Sequence, residues 1–457
     1  MRDRATLLEG PIGSVLVRLA LPLMGVAFVQ MAYTLTDVMW LGRLSTRAVA
    51  ATGTCSFFVW LSQALTLIGK TGVSVGLAQS YGRGDWERAK GVMKAGLFVS
   101  GALCLFTMVV LFLFRKTFLG FYGLPPEVEA MAESYLLIVT AGMVFTFLNP
   151  LLAATHYARG DSMTPFKISL VALIFNIVAD PILIFGIGPF PAMGVAGAAI
   201  ATVSAQALAL PLYLYAQRGG QSVLMASREA VLSSLRVKEI LHLGIPACLH
   251  SSIHASVGLV LNKYIAGFGP EPIAVYAIGS QIESLSWMSA EGFGTAISAF
   301  MGQNYGAKRY DRLWKGYLMG LRIVGTIGIL ATIILFVGRD NLFRIFLPGD
   351  PKTVLMGGRY LMIMSASQFM MTVELGTTGA LNGLGLTRYP AIGGAFFNIL
   401  RIPMALLLMP HLAIEGVWWS MSISSICKGL FALCAFLVLR NLTQGFQVNM
   451  DRFASHE

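Results

Sequence analysis

The sequence predicts an all-α polytopic membrane protein: twelve transmembrane helices in two parallel six-helix repeats, an N-lobe and a C-lobe, around a central cleft. Three observations carry that prediction. Charge is scarce, with 33 Lys and Arg and 22 Asp and Glu in 457 residues, about half the usual share of roughly 25%. Hydrophobic residues reach 56%, and they gather into runs long enough to cross a bilayer. The second half of the chain also echoes the first. High hydrophobicity with few charges excludes disorder.

A span needs about 20 mainly apolar residues to cover roughly 30 Å of hydrocarbon. Twelve runs qualify: 19–41, 48–76, 91–114, 129–153, 166–187, 192–216, 240–266, 272–300, 313–338, 357–380, 389–410 and 414–439. The longest gap carries Arg218, Arg228, Arg236 and Lys238 and reads as a surface linker. It divides the chain into an N-lobe (1–217), a cytoplasmic linker (218–239) and a C-lobe with its tail (240–457). The first run is too long for a signal peptide and has no convincing cleavage site, so it stands as a span.

Orientation follows the cations. With the N-terminus inside, the cytoplasmic segments hold 20 Lys and Arg, among them Arg2, Arg4, Arg88, Arg312 and Arg452, and the outer segments hold 8. Both termini are therefore expected in the cytoplasm, and the net charge of +11 reflects membrane topology rather than nucleic-acid binding. Cys55, Cys104, Cys248, Cys427 and Cys434 lie scattered in apolar segments without CxxC spacing, which reads as reduced and structural.

The repeat is legible in four matches that keep the same order. Arg18-Leu-Ala-Leu-Pro22 returns 224 residues later as His242-Leu-Gly-Ile-Pro246, Gln79-Ser-Tyr-Gly82 as Gln303-Asn-Tyr-Gly306, and Arg88 as Arg312. Phe175-Asn176 followed by Pro181 matches Phe397-Asn398 followed by Pro403. Six spans per repeat, an even number, start both halves on the same side, which suits alternating access. Pro22, Pro181, Pro246 and Pro403 fall inside spans, where a missing N–H loosens the helix.

Ionisable residues inside spans are costly and ask for a reason. Ten of them stand out: Asp37, Lys70, Asp180, Lys263, Glu283, Glu291, Arg322, Glu374, Arg401 and Lys428. Asp37 and Asp180 fall at similar depth in the first half. Gln30, Tyr33 and Asp37 share a helix face, Asn176 is the i, i+4 neighbour of Asp180, and Thr202 reaches a comparable level. Such a pocket can hold a proton near neutral pH or bind Na⁺ through hard oxygen ligands, and a cationic substrate competes for the same charge. Glu283, Glu291 and Glu374 are secondary candidates for substrate or ion binding; alternatively they pair with Arg401 and Lys428. Lys263 and Arg322 lie where they can snorkel, and Lys70 can snorkel or pair with an acid.

Three look-alikes carry no chemistry. Gly69-Lys70-Thr71 resembles the end of a phosphate loop, but the first glycine of that motif is replaced by Ala64 and the segment is an apolar helix. His250 and His254 have metal-pair spacing without a third ligand nearby and read as a polar helix face. Gly72-x-x-x-Gly76 fits close helix packing. No metal and no cofactor are implied.

Taken together, these residues resemble the multidrug and toxic compound extrusion (MATE) transporters, in particular the DinF-like branch. The carriers are Pro22, Gln30, Tyr33 and Thr36-Asp37; Gln79-Ser-Tyr-Gly82; Arg159-Gly-Asp161; Asn176-Ile-Val-Ala-Asp180-Pro181; and Gly194-Val-Ala-Gly-Ala-Ala-Ile-Ala-Thr202. The resemblance implies a two-lobed, monomeric exporter in a prokaryotic plasma (inner) membrane. It would exchange small cationic amphipathic drugs or toxins for H⁺ or Na⁺, with lipid as its other partner and no nucleic acid. It also implies that Asp37 and Asp180 carry the coupling ion with Asn176 and Thr202, that Tyr135 lines the substrate cavity, and that the first span bends at Pro22. The Glu that another branch carries on the seventh span is missing between Leu241 and Gly267, which favours the N-lobe. A flippase for lipid-linked oligosaccharide is the runner-up; its anionic cargo would want a cationic cavity. An intramembrane enzyme would need a convergent nucleophile and base or a metal set, and none is found.

Overall fold

A computed structural model of the chain describes residues 7–218, 222–347 and 349–442; Arg2, Arg4 and Arg452 lie outside them, as do residues 219–221 of the linker. All regular structure among the described residues is helical. The helices are α1 (Ile12–Leu44), α2 (Thr46–Arg83), α3 (Trp86–Gly120), α4 (Pro126–Ala141), α5 (Met143–Arg159), α6 (Met163–Phe185), α7 (Gly194–Ala216) and the single-turn α8 (Val223–Ala226). They continue with α9 (Ser234–Ala266), α10 (Pro270–Gly306), α11 (Tyr310–Phe346), α12 (Pro351–Gly383), α13 (Arg388–Leu412) and α14 (Ile414–Leu442). Hydrocarbon offers no partner for a free N–H or C=O, so a spanning backbone must satisfy its own groups, and a helix does so residue by residue.

Among the described residues nine helices are apolar and long enough to cross a membrane, and α4 with α5 makes a tenth span bent by 45°. The helices α10 and α12 complete the expected twelve, at 37 and 33 residues. Both are long enough to span but polar in composition, because they keep their polar groups inside. Ser284, Ser289, Gln303 and Asn304 of α10 are buried, as are Gln368, Thr372 and Thr377 of α12. The lipid side shows the opposite: Leu105, Phe106 and Leu113 of α3 are 64, 60 and 63% exposed, spaced to form one outward apolar stripe.

The fourth span differs from the unbroken run expected over 129–153. It bends at Gly142, where a Cβ would stand 2.5 Å from Val203 Cγ2 of α7. The backbone there still bonds, Gly142 N–H donating to the Ile138 carbonyl at 3.1 Å. Hydropathy does not register a bend, which changes the direction of the chain and not its composition. At the α5–α6 turn, Asp161 caps the next helix by accepting from Thr164 N–H at 3.0 Å and meets His156 Nδ1 at 3.0 Å. Burial alone would raise its pKa, but the bonds with His156 and Thr164 outweigh it and hold the carboxyl at about 2.

The chain forms two compact units. Among the described residues, one comprises Gly25–Tyr81 and Asp85–Cys248; the other comprises residues 7–24, Gly82–Gly84 and those from Leu249 on. The chain thus changes unit two residues after Pro22 and again two residues after Pro246. In the first unit, the early part of α9 lies against α2: a Cβ at Gly244 would stand 2.1 Å from the Ile68 carbonyl oxygen, and one at Gly72 would stand 2.9 Å from that of Ile240. In the second unit, the early part of α1 meets α10 in the repeat-related way, a Cβ at Gly292 falling 2.8 Å from Met24 N. A repeat-related arginine secures each lead-in. Arg88 donates to Glu239 just inside α9, in an ion pair only 8 and 17% exposed. Arg312 donates to the Glu9 carbonyl at 2.8 Å just ahead of α1, and Asn304 Nδ2 reaches the Leu7 carbonyl at 3.1 Å.

The contact at Gly244 gives a stability test. Gly244→Leu must push α9 off α2, and overpacking of this kind costs about 1–3 kcal/mol; the thermal midpoint of the purified protein should fall. Gly101→Ala, where nothing lies within 4 Å, should leave the midpoint unchanged or raise it, since alanine favours a helix by about 1 kcal/mol over glycine.

Candidate functional site

The first unit brings the predicted acids together. Helix α1 carries Tyr33 and Asp37, α4 carries Tyr135, α6 carries Asn176 and Asp180, and α7 carries Thr202. Thr202 Oγ1 donates to Asp37 Oδ2 at 3.3 Å, and Tyr33 donates its hydroxyl to the Thr202 carbonyl at 3.4 Å. Asn176 Nδ2 donates to Asp180 Oδ1 at 3.2 Å. The two carboxyls adjoin each other, with Asn176 beside Asp37, and Tyr135 lies within the field of both acids.

What this cluster lacks is a donor. Asp37 Oδ1, Asp180 Oδ2 and Asn176 Oδ1 are buried without a hydrogen-bond partner, and Asn176 and Asp180 are 0% exposed. Buried oxygens without donors are expensive; a proton shared between the carboxyls, or a small cation among the oxygens, meets that need.

The placement rests on small residues as much as on polar ones. A Cβ at Gly197 would stand 2.4 Å from the Leu183 carbonyl oxygen, so only glycine lets α7 close on α6 and carry Thr202 to the acids. That signal was present in the small-residue run 194–201 but names no role by itself. Gln30 does not join the group: it is exposed and sits two turns from Asp37, about 10 Å along the helix axis. Sharing a face did not bring it to the same depth. Pro22 is buried within α1, and its ring leaves one helix carbonyl without its N–H.

The second half departs further from expectation. Glu283, Glu374, Arg401 and Lys428 are buried, yet no acid lies within 4.0 Å of either cation among the described residues. Arg401 instead donates from Nε to Ser424 Oγ at 2.6 Å and from Nη2 to Ser425 Oγ at 3.0 Å. Glu374 accepts from Thr378 at 3.3 Å. Glu291 is exposed, because eight residues place it about 80° round α10 from buried Glu283. Lys263 and Arg322 are exposed, as snorkelling requires. Lys70 sits inside α2 rather than in a loop and meets no acid within 4.0 Å among the described residues. No group of three metal-ligating side chains occurs among the described residues, and all five cysteines are free.

Comparison with known proteins agrees with this architecture. The MatE family model matches twice, over residues 22–182 and 246–407. The two matches begin at Pro22 and Pro246, the same 224-residue offset that the sequence repeat shows. A probable multidrug resistance protein NorM from Thermotoga maritima is 27% identical over 434 residues, 92% of this chain and 91% of the relative. A FAD transporter from Shewanella oneidensis is 25% identical over 96% of this chain and 97% of its own length. Among solved structures, a crystal structure of MATE in the bent conformation superposes with a TM-score of 0.88 at 22% identity, covering 97% of this chain and 99% of that one; it shares the fold. A duplicated six-span architecture, matched by one family model in each half, assigns the protein to the MatE family of membrane transporters.

Proposed function

We propose that the protein is a secondary antiporter that exports small cationic amphipathic compounds in exchange for H⁺ or Na⁺ by alternating access. One observation carries the reading: two adjoining carboxyls, Asp180 buried and Asp37 half-buried, and a buried amide each keep one buried oxygen without a donor. A proton, Na⁺ or the cationic group of a drug satisfies those oxygens, and occupancy by one excludes the others. Mutual exclusion at a single site is sufficient for exchange. Asp37, Asp180, Asn176 and Thr202 hold the coupling ion, as in the DinF-like pattern, and Tyr33 and Tyr135 supply apolar faces to the cargo. The name of the Thermotoga relative supports drugs as that cargo. Pro22 provides the flexible point of α1, a reading in keeping with a MATE described in a bent conformation. Both termini and the 218–239 linker lie on the cytoplasmic side of a prokaryotic inner membrane. A flippase for an anionic lipid-linked sugar fits the acid pair poorly.

Asp37→Asn should abolish drug export by cells expressing the protein while leaving expression and membrane insertion intact; wild-type resistance in that variant would remove the proposed role. Proteoliposomes given a pH gradient alone and a Na⁺ gradient alone identify the coupling ion. Asp180→Asn should also lose export, yet its thermal midpoint should hold or rise, because a buried carboxyl without an ion-pair partner costs stability. Lys70→Ala should reduce export far less than Asp37→Asn, and equal severity would give Lys70 a part in the cycle.

A further inference from the structure

We infer that the second unit contains a binding site of opposite sign, formed by Arg401, Lys428, His250, His254 and Asn398, that takes an anionic oxygen group: a carboxylate or phosphate carried by cargo or by a lipid headgroup. The five residues come from α9, α13 and α14. Arg401 is anchored through Ser424 and Ser425, which fix the guanidinium without neutralising it. Lys428 lies one turn beyond Ser424 on α14 and within the field of Arg401. His254 feels Arg401 and Lys428 as its nearest charges, and His250, one turn earlier, feels both cations and Glu374.

The polar groups here wait for a partner. Asn398 is 0% exposed and adjoins His254, yet neither its amide nitrogen nor its oxygen finds a partner in good hydrogen-bond geometry. His250 Nε2 is likewise buried and unpaired, held against α13 where a Cβ at Gly394 would stand 2.4 Å from it. Two buried cations without a carboxylate in contact are costly, and serine hydroxyls do not cancel charge. Glu374 is the one acid close to both cations, and it turns an oxygen to Thr378 at 3.3 Å. Glu283 has donors of its own in Tyr360 and Gln368 of α12. Glu283 acts on Arg401 but not on Lys428, which meets Glu374 alone; a bound anion would accept from Lys428, Arg401, Asn398 and a histidine N–H together.

The internal repeat sharpens the contrast. Asn176 and Asn398 are repeat mates; the first stands among acids, the second among bases. The charges themselves are not repeat mates, since Asp180 aligns with Ile402 and Arg401 with Ala179, but each half sets its charge within one turn of the same asparagine.

Equilibrium binding tests this without reference to antiport. The full chain, in nanodiscs of phosphatidylcholine, is titrated with a rhodamine bearing a free carboxylate and with its methyl ester, read by fluorescence anisotropy. The wild type should prefer the acid, and Arg401→Gln and Lys428→Gln should each lose that preference by about tenfold or more with ester affinity unchanged. Lys428→Gln covers the case in which Arg401→Gln fails to fold, since Lys428 makes no side-chain hydrogen bond among the described residues. If a lipid phosphate is the natural occupant, phosphatidylglycerol will compete with the acid dye, and Lys428→Gln will retain fewer copies of that lipid on purification. Variants that bind acid and ester as the wild type does, and keep the same lipid, overturn the site.

Discussion

Inside a bilayer no water stands by to satisfy a polar group, and everything distinctive about this protein follows from how it meets that condition. The backbone meets it by being helical throughout the spans. Serine, threonine, glutamine and asparagine side chains meet it by facing inward, which is why α10 and α12 can be polar and still cross. The few groups that do not meet it become conspicuous. Oxygens of Asp37, Asn176 and Asp180 are held in place yet left without donors. In a soluble protein a water molecule would fill such a gap at small cost; in a bilayer the gap stays expensive until a proton or a cation meets it.

Close helix approach supplies the geometry that those groups need. Gly197 lets α7 meet α6, Gly142 lets the fourth span bend against α7, and Gly244 and Gly292 seat the early parts of α9 and α1 on α2 and α10. Packing in lipid relies on such small residues, because the hydrophobic effect does not distinguish a neighbouring helix from a lipid tail. The Arg88–Glu239 pair and the Arg312 bonds to the Glu9 carbonyl work at the helix ends, where strong polar contacts are available.

Much of this was legible from residue order. Long apolar runs located the spans, and the 224-residue offset located the repeat, because both depend on properties that survive without coordinates. Asp37, Asn176, Asp180 and Thr202 could be grouped from helix periodicity and depth. Periodicity failed where the answer lay in three dimensions. Gln30 shares a face with Asp37 but not its depth. Opposite charges in the same half suggested ion pairs, yet Ser424 and Ser425 are the groups that reach Arg401. The bend at Gly142 left no mark in hydropathy, since a kink changes direction and not composition.

The passage of the chain between units just after Pro22 and Pro246 also constrains how the protein is made. The unit that holds Asp37 and Asp180 draws its last residues from as far along as Cys248, so it cannot be complete when the sixth span leaves the ribosome. Synthesis must run on into the seventh span before that unit has all its parts. The residues up to Met24, made first, belong to a unit whose remainder is synthesised last.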